Sequence, residues 1–546
     1  MRWGLSLLLY LPFLAPVVCH YLAPPPGMEP TGFIQPDLPY YMSNAREHFD
    51  EGFGIFYSLP FSPFAESPRI YFQPQSLLLG AIHFATGLDP GVLFLLFGLL
   101  SGVAFIRLAL AVFETAFGLD SPGKWLTAIT MVWGGGLLCL AGAVRAIVTG
   151  DLNDLFFYDP AYGLWFLNLG RNLIYPHESY YHAVFFAVLL LVARGRWAWA
   201  VAAAAWLSAS HPFTGLQLLC VLIAWAGLER LWIGNRELPR WWLPSLVGLL
   251  IVHLAAYRLL LPALSFEHRV IEDYWIRFVQ DWTYEIEHFL PGYALVGIAA
   301  GWQLRSPGVA AATLSRPFAR LALVIALVSF ALANNEFAFR PNVQPLHFTR
   351  GYVWMGLFLL GAPAVIGLTD RLWQWRGLLG KAAVAAGCGL WWADNAVFLT
   401  AFHLLPNTAE HELYVPAGFH ELAQFLSEPE QAGCLVLLPD DPTEPFNTVA
   451  YLLTTYTPLR VWHSHPYNTP FIKRRMAEIE SLFSGNEFLD AWSLRPVLVV
   501  MPAGRLPPPV VVTLGGHQVF SNAMPSGSLR RAPGGFTVFR LDRPVE

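Results

Sequence analysis

Charged side chains are scarce in this chain. Only 13% of its 546 residues are Asp, Glu, Lys or Arg, whereas soluble domains carry about 25%. Hydrophobic residues make up 55% and the mean hydropathy is +0.46. The apolar residues fall in runs, and a helix that crosses a bilayer needs about 20 of them. The shortage of charge therefore excludes an ordinary soluble domain and predicts a polytopic α-helical membrane protein.

The chain also lacks the patterns that mark several other classes of protein. Its net charge of -5 excludes the basic footprint of a nucleic-acid-binding protein. Its five cysteines show neither a disulfide framework nor a metal-ligand spacing. The sequence has no glycine-rich dinucleotide fingerprint and no repeat of fixed period. Its two hydrophobic halves have unequal loops, which disfavours an inverted-repeat carrier.

The apolar runs predict about 11 to 13 transmembrane helices. Residues 3–19 form the first, and the valines before Cys19 argue against cleavage as a signal peptide. The later candidates are 76–88, 91–117, 125–148, 179–193, 197–208, 211–228, 242–262, 289–303, 318–333, 347–368 and 382–402, with a short apolar segment at 160–170.

The distribution of basic residues predicts the orientation of these helices. Four connecting loops between residues 194 and 381 hold eleven basic and three acidic residues. Loops 20–75, 263–289 and 334–346 hold five basic and thirteen acidic residues. Because basic loops stay in the cytoplasm, we expect the N-terminus inside and the acidic loops and the tail outside.

The tail, residues 403–546, has a different pattern, in which short apolar runs alternate with helical stretches. This alternation predicts a small α/β domain with a parallel layer. The predicted strands are 434–438, 459–462 and 496–501, with edge strands at 517–520 and 536–541, and the predicted helices are 418–427, 445–454 and 470–483. We therefore divide the chain into a transmembrane domain, 1–402, with a large first outer loop at 20–75, and an extracytoplasmic domain, 403–546.

Asp37 is the main candidate for chemistry. It follows the first span by a short loop and precedes Tyr40 and Tyr41, which open a stretch able to form an amphipathic helix on the membrane. A carboxylate there could deprotonate a hydroxyl or hold a divalent cation against a phosphate. The alternative is that Asp37 caps the following helix.

Two arginines lie where the chain enters the bilayer. Arg69 precedes a predicted span, and Arg350 lies about one turn into another. A guanidinium at either place is suited to bind a phosphate with its planar fork. Snorkelling of a long side chain to the interface is the alternative for both.

Histidines form a third group of candidates. His177 and Glu178 open a span from the outer side and could complete an acid–base or metal site, or they could simply begin the helix. His211 interrupts two apolar helices and either touches a ligand or forms a hinge. His465 follows a predicted strand in the tail and either touches substrate or packs the domain.

Other outer acids compete for the role of a second carboxylate. Asp151, Asp154 and Asp159 precede the His177 span. Loop 263–289 is rich in acidic residues but shows no tight ligand spacing, which favours a solvated surface.

Together these motifs resemble the GT-C superfamily of integral-membrane glycosyltransferases. The resemblance rests on Asp37 with Tyr40 and Tyr41 and on the breaks at 175–178 and 210–213, over most of the chain. The segments 69–75, 344–350, 460–470 and 473–475 match as well. In that family an acid of the first outer loop acts as base or metal neighbour, a role that falls here on Asp37. Leucine follows Asp37, so a paired acid is missing, and Glu47, Asp154 or Glu178 could replace it.

The resemblance implies an inverting hexosyl- or pentosyltransferase. The implied donor is a sugar on a polyprenyl phosphate, the implied acceptor is a glycan, lipid or protein at the outer face, and a Mg²⁺ or Mn²⁺ cofactor is an open expectation. Two alternatives stay open: a transporter or flippase of lipid-linked saccharide, and a non-catalytic assembly protein. Rare lysine with frequent tryptophan and arginine indicates a GC-rich bacterial genome, and we expect the protein in the bacterial inner membrane.

Overall fold

A computed structural model describes most of the chain. The described residues are 2–35, 37–50, 52–64, 67–158, 167–278, 286–337, 344–375, 377–400, 414–439, 446–484, 496–522 and 535–542. The chain divides into two compact units: unit 1 holds residues 1–15, 97–257 and 276–406, and unit 2 holds 16–96, 258–275 and 407–546. Unit 2 thus joins the first predicted outer loop to most of the tail, and the single boundary after residue 402 stays a prediction.

Helices form most of the described structure. Numbered in chain order they are α1 (Arg2–Leu22), α2 (Pro39–Glu47), α3 (Pro74–Thr86), α4 (Pro90–Phe117), α5 (Pro122–Trp133), α6 (Leu138–Thr149), α7 (Pro176–Ala193), α8 (Trp197–Ser210), α9 (Pro212–Gly227), α10 (Trp242–Ala255), α11 (Leu261–Leu264), α12 (Phe266–Phe278), α13 (Ile286–Gln303), α14 (Pro307–Leu314), α15 (Pro317–Ala333), α16 (Tyr352–Gln374), α17 (Leu378–Val397), α18 (Phe419–Leu426), α19 (Phe446–Tyr456), α20 (Ile472–Phe483) and α21 (Pro509–Thr513). Many begin with proline at the first helical position, where its missing N–H costs nothing.

The chain is a polytopic α-helical membrane protein. Six described helices are long and apolar enough to cross a bilayer, and the number reaches eight if each of two bent pairs is one span. The larger predicted count of about 11 to 13 spans includes shorter apolar helices such as α7 and α8, and it stays a prediction. In the predicted segment 160–170, residues 160–166 lie outside the described residues.

The span predicted at 125–148 is wrong as a single helix. It is the pair α5 and α6, bent by 68° at Gly134-Gly135-Gly136. Asp394 of α17 explains why α6 can start there. Its carboxylate accepts hydrogen bonds from the backbone N–H groups of Gly136 (2.7 Å), Leu138 (3.1 Å) and Cys139 (3.0 Å). A carboxylate at this end satisfies donors that a helix leaves unpaired and complements its dipole.

Unit 2 contains a five-stranded sheet. Its strands are β3 (Leu435–Leu437), β4 (Arg460–Val461), β5 (Val497–Pro502), β6 (His517–Ser521) and β7 (Phe536–Leu541), in the order β4-β3-β5-β7-β6. Strands β4, β3 and β5 are parallel, which confirms the predicted α/β layer. The edge assignment of 536–541 was wrong, because β7 lies between β5 and β6 and most of its side chains are buried.

A second, short sheet joins the first loop to the tail within unit 2. Strand β1 (Met28–Pro30) pairs antiparallel with β2 (Tyr414–Pro416). The helix predicted near Tyr40–Asp50 exists as α2, but it does not lie on a membrane surface. Seven of its nine residues are buried, and it packs against α19. This burial could not be predicted from the local sequence, because the partner helix follows about 400 residues later.

Candidate active site

Asp37 is exposed in unit 2, two residues before α2 begins. Its carboxylate accepts a hydrogen bond from Gln35 Nε2 (3.0 Å), and its backbone N–H donates to Gln35 Oε1 (2.9 Å). The N-cap position of α2 is Leu38, which makes no side-chain capping bond. Asp37 therefore lies one residue before the N-cap position of this helix, and its side chain is exposed.

Tyr40 and Tyr41, both half-buried, begin α2 in a cluster of rings. Tyr40 stacks on Phe61 with ring centroids 5.7 Å apart, and Tyr41 stacks on Phe94 at 6.1 Å. The two tyrosine rings meet edge to face at 5.3 Å. Offset and edge-to-face ring pairs add to the burial of apolar area. This packing fixes the start of α2, and contact of either tyrosine with substrate stays a prediction.

His465 belongs to the same cluster. Its ring lies 5.0 Å from that of Phe61 and 4.8 Å from that of Tyr451. Its Nδ1 accepts hydrogen bonds from the backbone N–H groups of Tyr467 (3.1 Å) and Asn468 (3.2 Å). Burial lowers the pKa of His465 to about 3, so the ring is neutral at physiological pH. The geometry supports the packing alternative for His465, and direct contact with substrate stays a prediction.

Tyr451 connects this cluster to Asp37. Burial raises the pKa of the Tyr451 phenol well above its ordinary value, and the negative charge of Asp37 adds to the rise. Asp37 therefore lies close enough for its charge to act on Tyr451, although its own side chain is exposed.

Glu47 ends α2 and was one candidate for a second acid. Its carboxylate forms a two-pronged pair with Arg460, with Nη1–Oε1 and Nη2–Oε2 distances of 2.9 Å each. The Ser58 hydroxyl also donates to it. Burial raises the pKa of Glu47, while the Arg460 guanidinium acts to lower it. Glu47 is thus occupied by a structural partner that the sequence did not reveal.

Arg69 is exposed at the other end of α2 from Asp37. Its Nη2 reaches the backbone oxygen of Glu47 at 3.5 Å. A helix of nine residues is about 14 Å long, so Arg69 and Asp37 lie near opposite ends of that length. The separation favours the interfacial alternative for Arg69 over contact with a phosphate that leaves next to Asp37.

Unit 1 brings four other predicted residues together. Glu178 and Arg350 form an ion pair, 2% and 3% exposed respectively. His177 Nε2 lies 3.4 Å from Glu178 Oε1, and His211 Nε2 lies 3.4 Å from Arg350 Nη2. A buried pair of this kind depends on good geometry and on further hydrogen bonds. The sequence placed these side chains in the same compartment but did not predict that Glu178 and Arg350 pair.

Arg350 does not lie one turn into a helix, as predicted. It precedes α16, with a φ of 34°, and Gly351 is the N-cap. Its backbone oxygen accepts from His182 Nε2 (2.9 Å) and Asn172 Nδ2 (3.4 Å). A positive φ is costly for a side chain with a Cβ and persists where neighbours determine it. The hydrogen bonds from His182 and Asn172 hold the Arg350 backbone in this conformation. Neither residue was a candidate site residue in the sequence analysis.

His211 caps α9. It separates α8 from α9, and its Nδ1 accepts from the Thr214 backbone N–H at 3.1 Å. Capping accounts for the helix break, and contact of His211 with a ligand stays a prediction.

The competing acids of the predicted outer loops are largely paired. Asp154 contacts Arg145 Nε at 3.2 Å, and Asp151 accepts from the Asn153 backbone N–H at 2.9 Å. Glu267 of loop 263–289 accepts from the hydroxyls of Ser62 (2.7 Å) and Ser67 (3.0 Å). Asp159, Asp281 and Glu285 lie outside the described residues.

The described residues do not build a metal cage. Across those ranges no three His, Cys, Asp or Glu side chains are arranged to hold a metal ion. Glu47, Asp154 and Glu178, the candidate partners of Asp37, are each paired with an arginine. These residues do not fit a divalent-cation site, so we derive no step through a metal.

A solved structure shares the fold. The chain resembles the arabinofuranosyltransferase AftD from mycobacteria with a TM-score of 0.50 and 16% identity, covering 98% of this chain and 41% of AftD. The fold is GT-C-like. The chain therefore spans less than half the length of that enzyme.

The chain also matches an archaeal enzyme more weakly. The oligosaccharyltransferase of Archaeoglobus fulgidus in its apo form gives a TM-score of 0.43 at 11% identity, over 91% of this chain and 69% of that one. Its complex with Zn and sulfate gives 0.44 at 10% identity, over 98% and 73%. No protein-family model and no curated protein matches the sequence.

Proposed function

We propose that this protein is an inverting glycosyltransferase that acts at the outer face of its membrane. It would move one hexose or pentose from a polyprenyl-phosphate donor to a hydroxyl of a glycan, lipid or protein acceptor. The GT-C-like fold supports membrane glycosyl transfer in general. One observation carries the assignment of the site. Asp37 is exposed, and it directly precedes helix α2, most of whose residues are buried.

In the proposed reaction Asp37 acts as general base. Its carboxylate accepts the proton of the acceptor hydroxyl while the hydroxyl oxygen attacks the anomeric carbon. The bond from that carbon to the phosphate oxygen breaks, and polyprenyl phosphate leaves with the electron pair. A positioned base of this kind contributes about 10²–10⁴-fold in rate. A Mg²⁺ or Mn²⁺ requirement stays a prediction, which chelation by EDTA measures.

Exchange of Asp37 for asparagine tests the proposal. The full chain in proteoliposomes is given short-chain polyprenyl-phosphate hexoses and pentoses with a cell-envelope glycan extract, and released polyprenyl phosphate is measured. We expect Asp37→Asn to lose at least about 100-fold in turnover. Asp120→Asn is the control, because Asp120 is an exposed carboxylate that pairs with Lys124 in unit 1.

The same preparation distinguishes the rival functions. A flippase moves the labelled donor across the bilayer without releasing polyprenyl phosphate, and an assembly protein does neither. Full turnover by Asp37→Asn would overturn the base assignment. Deleting the tail is a poor test of the assembly function, because α19 and β4 pack on α2 and β2 pairs with β1 within unit 2.

A further inference from the structure

Helix α2 is held at its start by the tail. The Ser43 hydroxyl lies 3.0 Å from the hydroxyl of Thr454 and 2.9 Å from that of Thr455, both on α19. Ser43 and Thr455 also donate to the backbone oxygen of Pro39, at 3.2 Å and 3.4 Å. Pro39 is the first residue of α2, two positions after Asp37. The backbone that leads to Asp37 is thus attached to α19.

The end of α2 is held by the tail as well. Arg46 Nη1 donates to the backbone oxygen of Thr455 at 3.2 Å. The two-pronged pair of Glu47 and Arg460 follows directly, and Arg460 Nη1 also donates to the backbone oxygen of Leu59 at 3.1 Å. Arg460 lies on β4, so this pair connects α2, the first loop and the sheet.

The Glu47–Arg460 pair fixes orientation more than it stabilises. Glu47 is 9% exposed and Arg460 5% exposed. Exchange of such a pair for apolar side chains is often neutral in stability, because removing two charges from water is costly. Its two parallel hydrogen bonds, however, allow little rotation of the helix that carries Glu47. A lysine in place of Arg460 would keep the charge and lose the planar fork.

We propose that Glu47 and Arg460 are positioning residues for Asp37. The tail sheet would hold helix α2, and with it the preceding backbone of Asp37, in a fixed orientation. This inference rests on the proposed function. It gives the α/β tail a role in the transfer reaction without any contact between the tail sheet and substrate. Small changes in the orientation of a catalytic group have large effects, since a displacement of about 1 Å can lower the reaction rate about 100-fold.

The double variant Glu47→Met/Arg460→Met tests the inference, because it removes both charges together. We expect a thermal midpoint and a donor KM near those of the wild type, with kcat at least 10-fold lower. The exposed pair Arg474–Glu478 of α20, with an N–O distance of 2.7 Å, provides the control Arg474→Met/Glu478→Met, for which kcat stays unchanged. If the double variant does not fold, Arg460→Lys takes its place. We then expect the same result, a lower kcat with an unchanged donor KM.

A cross-link provides a rescue that a purely structural role does not predict. The hydroxyls of Ser43 and Thr455 face each other, so Ser43→Cys/Thr455→Cys can form a disulfide between α2 and α19. In the Glu47→Met/Arg460→Met background we expect oxidation to restore kcat and reduction to abolish the gain.

Two outcomes overturn the inference, and they differ. Wild-type kcat in the folded double variant, with Asp37→Asn still inactive, removes the positioning role and leaves the proposed function standing. Full transfer by Asp37→Asn removes the proposed function, and the inference with it.

Discussion

Glu178 and Arg350 meet as a buried ion pair in unit 1, on segments that the sequence places far apart. Each side chain is almost fully excluded from solvent. Glu178 was a candidate for an acid–base or metal site and Arg350 for phosphate binding, and the structure gives each of them the other as partner. A ligand phosphate that reached Arg350 would have to compete with Glu178.

We expect the single variants Glu178→Gln and Arg350→Gln to lower the free energy of unfolding by about 3–5 kcal/mol, because each leaves a buried charge uncompensated. The double variant Glu178→Gln/Arg350→Gln should lose less than the sum of the two. Thermal and denaturant unfolding of the full chain in detergent measures this coupling. Arg2 and Glu114, an exposed pair in the same unit, give the control double variant, in which little changes. Additive losses at Glu178 and Arg350 would contradict the pairing.

Asp394→Asn should loosen the start of α6. The carboxylate accepts three backbone N–H bonds, and an amide oxygen replaces its two charged oxygens. We expect a loss of about 1–3 kcal/mol in unfolding free energy. Hydrogen exchange should accelerate at the amides of Gly136, Leu138 and Cys139. Asp120→Asn, at an exposed carboxylate paired with Lys124, is the control, and unchanged exchange at residues 136–139 in Asp394→Asn would refute the capping role.

The tail histidines predict a loss of stability in acid. Burial lowers the pKa of His463 to about 4 and that of His465 to about 3. Because the ordinary value is 6.5, the unfolded chain binds more protons than the folded chain between these folded values and pH 6.5. Stability is therefore complete above pH 6.5 and falls as the pH drops, by up to about 1.4 kcal/mol per unit for each ring.

A substitution at His463 separates this effect from general acid unfolding. Neither ring nitrogen of His463 has a hydrogen-bond partner among the described residues, so His463→Leu removes a proton-binding group without breaking a hydrogen bond. We expect its unfolding free energy to depend less on pH between 4 and 6.5 than that of the wild type. His517→Gln, at an exposed ring on β6, is the control substitution. An identical acid loss in His463→Leu would show that this ring is not responsible.

Arg69→Gln should leave catalysis nearly intact. Arg69 lies beside the end of α2, about a helix length from Asp37, so it should not stabilise charge that develops on the leaving phosphate. We expect kcat within about twofold of the wild type, in contrast to the loss of at least about 100-fold expected for Asp37→Asn. Steady-state release of polyprenyl phosphate measures both. A large fall in kcat for Arg69→Gln would return Arg69 to the phosphate site.

Local sequence patterns predicted some helices and strands of this protein, whereas others depend on contacts with remote residues. Helix α9 was predicted within a residue or two, because Pro212 and a long apolar run define it locally. The parallel strands of the tail were predicted because short apolar runs separated by helices have few other arrangements. The break between α5 and α6 depends on Asp394, which lies more than 200 positions later, although a lone carboxylate in an apolar run is itself a signal.

The candidate site shows the same division. Asp37 could be singled out because a lone acid beside tyrosines follows the first span. Arg460 could not, because nothing near it in the sequence indicates that it meets Glu47.

The sequence alone determined that this chain enters a membrane repeatedly, ends in an α/β tail and carries an acid in its first large loop, because hydropathy, periodicity and composition are local properties. Only the tertiary structure decided which acids are occupied by arginines and that the tail holds the helix following Asp37. Those pairings depend on distances between remote segments, and burial makes an unpaired charge costly, so folding selects the partners that spacing along the chain does not show.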